Sequence, residues 1–310
     1  MISDKVLAAL PTTAEQFQQR EPFRHVVIDG FLQPDIAAAL HAEFPDFDPS
    51  HAINEDGKVG SKAVFERIRA LGPTYSRLDS FIQTQDFLGL VSRITGIPGL
   101  LYDPHYFGGG THDNRNGQAL DAHVDFNRHP VTHTHRRLNL IIYLNPDWQA
   151  KWGGVLELHS DPHSDHDQVT RVVPIFNCAV IFETTENSWH GFSPIDLPAA
   201  RQDEARRSIA LYFYTTQRPA DELATTHSTV YVGRPLPDHV VAGLTLAQAD
   251  VDEIRGLLQG RDLHIQRLYR ETSHLNARLE QALRAVGLVR GSLVFRAVAA
   301  IRRALSRTGP

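Results

Sequence analysis

The chain has 310 residues, of which 42% are hydrophobic and 22% are charged, a composition typical of a globular protein with one large domain and an appendage. Its 36 acidic and 31 basic residues give a net charge of −5, which argues against a general affinity for nucleic acids. The single cysteine, Cys178, excludes a disulfide framework and a cysteine-based zinc site.

The N-terminal part of the chain is predicted to be mainly helical, with one early strand. Residues 1–20 have a polar helical pattern without the apolar run of a secretory signal, and no later stretch is long enough to span a membrane, so we expect a cytoplasmic protein. The segment Phe23–Gly30 indicates a strand that ends in a turn, and a helix follows from Pro34 to about Phe44. After a polar loop over 46–62, a second helical region ends at the breaker Gly96–Gly99.

From residue 100 onward the pattern changes to short β-type runs separated by turns. Because the helices precede these strands instead of alternating with them, a doubly wound fold is disfavoured. We predict a mainly β core, a double-stranded β-helix (jelly roll) with an N-terminal helical buttress. The glycines Gly108–Gly110 are expected to form a mobile loop at its mouth. The predicted strands are Leu100–Phe107, Asp121–Phe126, Leu138–Leu144, Gly154–His159, Arg171–Pro174, Ala179–Glu183, His190–Phe192 and Ser208–Thr215.

A His-x-Asp pair, His123 and Asp125, lies in the second of these strands. Residues two apart on a strand point to the same face, so the imidazole and the carboxylate supply two of the three ligands of a two-histidine, one-carboxylate iron site. A third ligand is expected from a distant strand, and His190, which follows the apolar strand 179–183, is the best candidate.

The order of motifs over residues 21–215 resembles that of the prolyl-hydroxylase-like 2-oxoglutarate/Fe(II) oxygenases. The segments that resemble the family are Pro22–Phe31, Arg137–Asn145, Trp152–Leu156, Pro174–Gly191 and Arg206–Tyr214. The resemblance implies that His123, Asp125 and His190 bind Fe(II), and that 2-oxoglutarate and O₂ are consumed. Related halogenases carry a small residue in place of the carboxylate, so Asp125 favours hydroxylation.

The co-substrate carries a distal carboxylate that requires a cationic partner, for which the planar guanidinium is well suited. Alternation along the last strand places Arg206 on a small, polar face with Ser208, whereas Arg207 falls on an apolar face, so we favour Arg206. The spacing Arg206-x-Ser208 also resembles the Arg-x-Ser motif of related oxygenases. The interval from His190 to Arg206 is longer than is usual in the family, so an extended loop is expected over 191–205. Three further candidates for the co-substrate pocket are Tyr143, Asn139 and Tyr106, for which core packing is the competing interpretation.

Two function classes follow from these observations. The first is a 2-oxoglutarate-dependent dioxygenase that hydroxylates an unactivated C–H bond with release of succinate and CO₂, with ascorbate as a further candidate cofactor. The second is a non-catalytic metal-binding jelly-roll module that acts as a binding or scaffolding protein. The substrate is left open between a prolyl residue, a free amino acid, a lipid and a sugar intermediate, because a fold does not set a substrate.

The C-terminal part is predicted to be a helical extension. We divide the chain into the oxygenase domain (1–220), a linker (221–243) and a helical segment with a basic tail (244–310). An apolar heptad seam over 251–289, with Arg261 and Thr272 as polar interruptions, predicts a homodimeric coiled coil, with a helix folded back on the core as the alternative. The basic and partly apolar residues 284–307 predict a contact with an anionic inner-membrane surface or with a partner protein.

Overall fold

A computed structural model describes residues 1–52, 62–233 and 235–291, with the side chains of Lys62 and 287–291 excepted. Its contacts divide the chain into two compact units, Met1–Arg234 and Pro235–Pro310. The predicted linker 221–243 is therefore corrected, because its first half belongs to the first unit and contributes a strand to it.

The strands of the described ranges form two antiparallel sheets. They are β1 (His25–Asp29), β2 (Lys62–Phe65), β3 (Gly110–Arg115), β4 (Leu120–Val124), β5 (His135–Tyr143), β6 (Leu156–His159), β7 (Val169–Val172), β8 (Cys178–Glu183), β9 (Trp189–Phe192), β10 (Ala205–Thr215) and β11 (Val230–Tyr231). The major sheet has the order β1-β8-β5-β10-β3-β2, and the minor sheet has the order β11-β4-β9-β6-β7. From β3 to β10 the chain passes back and forth between the two sheets, which is the jelly roll that the sequence predicts.

The N-terminal helices cover the outer face of the major sheet. They are α1 (Asp4–Ala8), α2 (Leu10–Gln19), α3 (Pro34–Ala42), α4 (Pro73–Ile82) and α5 (Gln85–Thr95). Apolar residues of these helices, such as Phe17, Leu40 and Val91, share one buried cluster with Leu140 of β5 and Leu211 of β10. Since each fully buried apolar side chain contributes about 1.5–3 kcal/mol, this cluster makes the buttress part of the folded core.

Local sequence signals explain where helix α5 begins and ends. Thr84 is its N-cap, and the hydroxyl oxygen of Thr84 accepts a hydrogen bond from the backbone N–H of Phe87 at 3.2 Å. Gly96 is its C-cap and adopts a left-handed conformation with φ of +73°, which glycine tolerates at little cost. The predicted breaker at Gly96 thus ends the helix as expected.

Strand β8 is buried along its whole length, because β1 and β5 pair with its two edges and apolar clusters cover both of its faces. Alternate residues face the two sides, so Ala179 and Ile181 join the helical cluster while Val180 and Phe182 pack between the sheets. Cys178 is 1% exposed in the same inner cluster and is a small core residue, as predicted.

One predicted strand is wrong, and one strand was missed. Leu100–Phe107 contains only an isolated bridge between Leu101 and Tyr214, and strand β3 begins at Gly110, the last residue of the segment expected to be a glycine loop. Gly110 meets β2 so closely that an added Cβ would lie 2.1 Å from the carbonyl oxygen of Phe65. Glycine here permits close strand packing, so this part of the sequence is an element of the sheet.

The second unit contains helix α6 (Gln248–Gly291). The helix agrees with the prediction of a helical extension, while most of the predicted basic tail, 292–310, lies outside the described residues. Among the helices that the structure describes, none has both the length and the apolar character that a membrane crossing requires.

Candidate active site

Three predicted metal ligands converge between the two sheets. His123 lies on β4 and His190 on β9, and these two residues are paired directly in the antiparallel register, with ring centroids 4.2 Å apart. Asp125 follows the end of β4, and its carboxylate oxygens lie 3.8 Å from His123 Nε2 and 3.5 Å from His190 Nε2. One ligand atom from each residue lies within 4.8 Å of the others, so the three can share a single ion.

Both histidines are held as neutral rings with Nε2 free. Nδ1 of His123 lies 2.9 Å from the carbonyl oxygen of Asp121, and Nδ1 of His190 lies 2.9 Å from that of Ser188. Each Nδ1–H therefore donates to the backbone, which leaves the Nε2 lone pair for a metal. Burial lowers the pKa of His123 to about 3, and burial lowers the pKa of His190 in the same way.

The third ligand, Asp125, is held ionised by its surroundings. Burial alone would raise the pKa of its carboxyl, but the guanidinium of Arg136, followed by His190 and His123, holds that pKa below its usual range. Two neutral imidazoles and one carboxylate on the same side of a cavity fit the donor set of a non-haem Fe(II) site.

A cavity of about 230 Å³ extends from these ligands between the sheets. Besides the three ligands, residues from β5 and β10 line it, and these are Asn139, Ile141, Arg206, Ser208, Ala210 and Tyr212. The alternation of β10 therefore places Arg206 and Ser208 in the cavity. Arg207 points to the opposite face, where its Nε lies 3.4 Å from an oxygen of Asp113.

Arg206 is 4% exposed and contacts only neutral partners among the described residues. Its Nε donates to the carbonyl oxygen of Gly154 at 2.6 Å, and its Nη2 donates to the hydroxyl oxygen of Tyr143 at 3.2 Å. Gly154 has a φ of +64°, and an added Cβ there would lie 2.9 Å from Arg206 Cδ. A buried guanidinium that is oriented by a backbone carbonyl and a tyrosine, without an acidic side chain beside it, is a suitable site for a carboxylate ligand.

The other predicted pocket residues differ in where the structure places them. Tyr143 lies behind Arg206 and orients it, and Ser208 lines the cavity beside it. Asn139 lines the cavity near the metal ligands, where its amide donates to Asp125. Tyr106 is not brought to the cavity, because its hydroxyl donates to the buried carboxylate of Asp79 at 2.8 Å, so the co-substrate role predicted for Tyr106 is corrected to a structural one.

Arg136 is a site residue that the sequence analysis missed. Its Nη2 lies 3.0 Å from Asp125 Oδ2, and the residue lines the cavity although its position on β5 predicts the opposite face. The reason is a register shift in the pairing of β5 with β10, where Phe213 faces Leu138 but Tyr214 faces Arg136. The extra residue, Arg137, forms a bulge that reverses the alternation and turns Arg136 inward.

Strand β11 is a second missed element. Val230 pairs with Val124, and Tyr231 pairs with His123, whose ring stacks on the Tyr231 ring at a centroid distance of 5.1 Å. Thr229 and Tyr231 both line the cavity, so a segment that follows the last core strand completes its wall. A two-residue strand offers too short a pattern for a sequence-based prediction.

Comparison with known proteins points to one enzyme superfamily. Residues 109–214, which include His123, Asp125, His190 and Arg206, match the sequence profile of the 2OG-Fe(II) oxygenase superfamily. The mouse protein "Prolyl 3-hydroxylase OGFOD1" is 27% identical over 204 residues, which are 63% of this chain and 33% of the relative. This chain thus spans about a third of the length of that relative.

Solved structures of similar fold include two prolyl hydroxylases. One, from Trichoplax adhaerens in complex with a hypoxia inducible factor peptide, has a TM-score of 0.47 and 17% identity, covering 68% of this chain and 93% of the other. The other, a prolyl-4-hydroxylase from Pseudomonas putida, has a TM-score of 0.44 and 16% identity, covering 66% and 100%.

Over residues 109–214 this chain is thus similar to the 2-oxoglutarate/Fe(II) oxygenases, and among them to proteins named as prolyl hydroxylases. This superfamily implies Fe(II) as the metal, with 2-oxoglutarate and O₂ as co-substrates.

Proposed function

We propose that the chain is a dioxygenase that couples the oxidative decarboxylation of 2-oxoglutarate to the hydroxylation of an unactivated C–H bond. The observation that carries this proposal is the placement of Arg206, a buried cation with neutral partners, in the cavity that contains His123, Asp125 and His190. A non-catalytic metal-binding module has no use for such a carboxylate site, and no observation favours that alternative.

One set of residues in the site would bind the metal, and a second set would bind the co-substrate. Fe(II) bound by His123, Asp125 and His190 would supply the oxidising chemistry, since O₂ activation belongs to the metal. Arg206 would bind the distal carboxylate of 2-oxoglutarate and Tyr143 would orient Arg206, which fixes the co-substrate in one direction within the cavity.

A prolyl side chain is the first substrate class to test, because the curated relative is named as a prolyl hydroxylase. Incubation of the protein with Fe(II), 2-oxoglutarate, O₂ and a set of proline-containing peptides should give succinate and a peptide mass increase of one oxygen atom. Both signals should vanish when iron or 2-oxoglutarate is omitted, and omission of ascorbate tests whether turnover depends on it. Oxidation of free amino acids, lipids or sugar intermediates instead of peptides would overturn the prolyl assignment. If no assay yields succinate, the proposal that the protein is a 2-oxoglutarate-dependent dioxygenase is wrong.

We also propose that the second unit forms a homodimer through residues 251–289 of α6. Apolar seam residues, namely Leu258, Ile265, Leu268, Leu275, Leu279 and Val286, are between 48% and 61% exposed. A helix with such an exposed apolar seam gains stability by pairing with a second copy, because pairing removes these side chains from water.

The dimer can be tested by light scattering on matched variants. The full chain should be a dimer, while truncation after Gly243 should give an active monomer. Leu275→Glu on the seam should dissociate the dimer, whereas Ala277→Glu, an exposed position on the outer side of the heptad, should not. A monomeric full chain would refute the dimer and leave the seam packed within its own molecule.

For the tail, we propose a peripheral contact of residues 284–307 with an anionic surface of the inner membrane in a cytoplasmic protein, supported only by its basic and apolar composition. Sedimentation with anionic and neutral vesicles tests this contact. The full chain should bind only the anionic vesicles and the truncated chain should bind neither, and equal behaviour of the two proteins would refute the proposal.

A further inference from the structure

The carboxylate of Asp125 forms a closed triangle of contacts with Arg136 and Asn139. Asn139 Nδ2 donates to Asp125 Oδ2 at 2.8 Å, and Arg136 Nη2 lies 3.0 Å from the same oxygen. Nε and Nη2 of Arg136 both donate to Asn139 Oδ1, at 3.1 and 2.8 Å. Only one orientation of the Asn139 amide satisfies both neighbours, so each side chain restrains the other two.

The two donors of this triangle, Arg136 and Asn139, contact the same carboxylate oxygen of Asp125. Oδ2 of Asp125 receives Arg136 and Asn139, while Oδ1 receives no donor from the residues that the structure describes. Oδ1 is also the oxygen recorded 3.8 Å from His123 Nε2. Oδ2, the oxygen that both donors contact, lies 3.5 Å from His190 Nε2, so the two carboxylate oxygens face different histidines and the donors fix the plane of the carboxylate between them.

Arg136 itself is held rigidly. Its guanidinium lies between two aromatic rings, with the central carbon 4.4 Å from the centroid of Phe126 and 3.7 Å from that of Tyr212. Its backbone is fixed on both sides, since its N–H donates to Asn127 and its carbonyl accepts from Arg218. At 1% exposure the side chain has little freedom, which is a requirement for orienting another group.

We propose that Arg136 and Asn139 are positioning residues that hold the Asp125 carboxylate in one orientation for its metal. The proposal deepens the proposed function, because it concerns how this chain prepares the same site for its metal. A carboxylate that rotates freely can offer either oxygen or both, and the triangle removes that freedom before the ion arrives. Partners of this kind typically change metal affinity by about 10- to 100-fold when they are removed.

Arg136 has two effects on metal affinity, and they have opposite signs. As a positioning group it strengthens binding, whereas as a cation near the site it repels a divalent ion. If positioning dominates, removal of the guanidinium weakens metal binding, and if repulsion dominates, removal strengthens it. The sign of the change therefore decides the proposal.

The experiment is a calorimetric titration of Co(II) into the full-length, metal-free protein without 2-oxoglutarate. We expect Arg136→Gln and Asn139→Ala each to raise the Co(II) dissociation constant about 10- to 100-fold. The double variant should raise it by less than the product of the two, because both residues act on one carboxylate. Arg136→Lys, which keeps the charge and loses the planar fork, should also weaken binding. Arg207→Gln is the matched control, since it breaks an arginine–aspartate pair on the other face of β10 and should leave Co(II) binding unchanged.

The outcomes separate this inference from the proposed function. Unchanged or tighter Co(II) binding in Arg136→Gln or in Asn139→Ala would overturn the positioning role of that residue while leaving the wild-type site intact. A wild-type protein that binds Co(II) but forms no succinate would contradict the proposed dioxygenase activity and would leave the positioning role of Arg136 and Asn139 standing. Asn139→Ala keeps the buried cation, so it tests the triangle even if Arg136→Gln does not fold.

Discussion

Arg206→Ala should remove the co-substrate site and leave the fold intact. In the free protein Arg206 is buried beside a carbonyl and a hydroxyl, and burial lowers the pKa of the guanidinium because neither partner is an anion. Its removal therefore takes away a buried cation that no described acidic group compensates. We expect the thermal midpoint of the metal-free variant to stay close to that of the wild type.

The effect on 2-oxoglutarate should be large. Loss of one partner of a buried ion pair costs about 3–5 kcal/mol, because the other charge is left without compensation. At 1.4 kcal/mol per tenfold, the dissociation constant of 2-oxoglutarate should rise by roughly two to three and a half orders of magnitude. Arg207→Ala is the control, since Arg207 points to the other face toward Asp113 and should leave the constant unchanged.

Calorimetric titration of 2-oxoglutarate into the anaerobic Co(II)-loaded proteins measures both constants. Saturating 2-oxoglutarate should also raise the thermal midpoint of the wild type and of Arg207→Ala, but not that of Arg206→Ala, because a ligand stabilises only a protein that binds it. Equal 2-oxoglutarate affinity of Arg206→Ala and the wild type would refute the role of Arg206 in binding the co-substrate. A loss of affinity in Arg207→Ala alone would mean that the co-substrate binds elsewhere.

Three further predictions concern the metal ligands, a tyrosine and the cysteine. His123→Ala, Asp125→Ala and His190→Ala should each abolish metal binding by calorimetry and succinate formation. Asp125→Ala should also lower the thermal midpoint most, because it leaves Arg136 buried without its anion. Tyr106→Phe should leave 2-oxoglutarate affinity unchanged while destabilising the fold by about 1–3 kcal/mol, since Asp79 loses a buried donor; weakened 2-oxoglutarate binding would contradict our placement. The Cys178 thiol should react with a thiol reagent only at the rate of unfolding, because burial raises its pKa to about 12; rapid labelling of the native protein would contradict this.

Alternation along a regular strand was sufficient to separate Arg206 from Arg207. Strand β10 is paired without interruption from Ala205 to Phe213, so side chains two residues apart share one face. The polar residues of one set and the apolar residues of the other indicate which face lines the cavity. The choice of His190 rested instead on the resemblance of residues 174–191 to the family segment that carries the distal histidine, because the pairing of β4 with β9 is irregular between Leu120 and His123. Local pattern is reliable wherever the backbone repeats regularly.

The same rule fails at Arg136, because one extra residue in β5 reverses the alternation. The bulge depends on the pairing with β10, which is far away in sequence, and no local signal marks it. Tyr106 was assigned to the wrong place for a related reason. Its hydroxyl donates a hydrogen bond to Asp79 on α4, a partner that only tertiary packing brings near. Positions that depend on distant partners are the ones that sequence reasoning missed.

The position of strand β11 near the end of the first unit determines whether a proteolytic cut leaves the wall of the cavity attached to the core chain. Tyr231 covers His123, and the second unit begins only a few residues later, at Pro235. A protease that cleaves between Gly233 and Ala247 would break the covalent link to helix α6 and leave strand β11 attached to the core chain. A cut only slightly earlier, between Thr225 and Thr229, would also separate β11 from the core chain, so that the ring stacked on a metal ligand would be retained only by non-covalent contacts. Limited digestion can thus yield two core fragments of nearly equal mass but different metal retention.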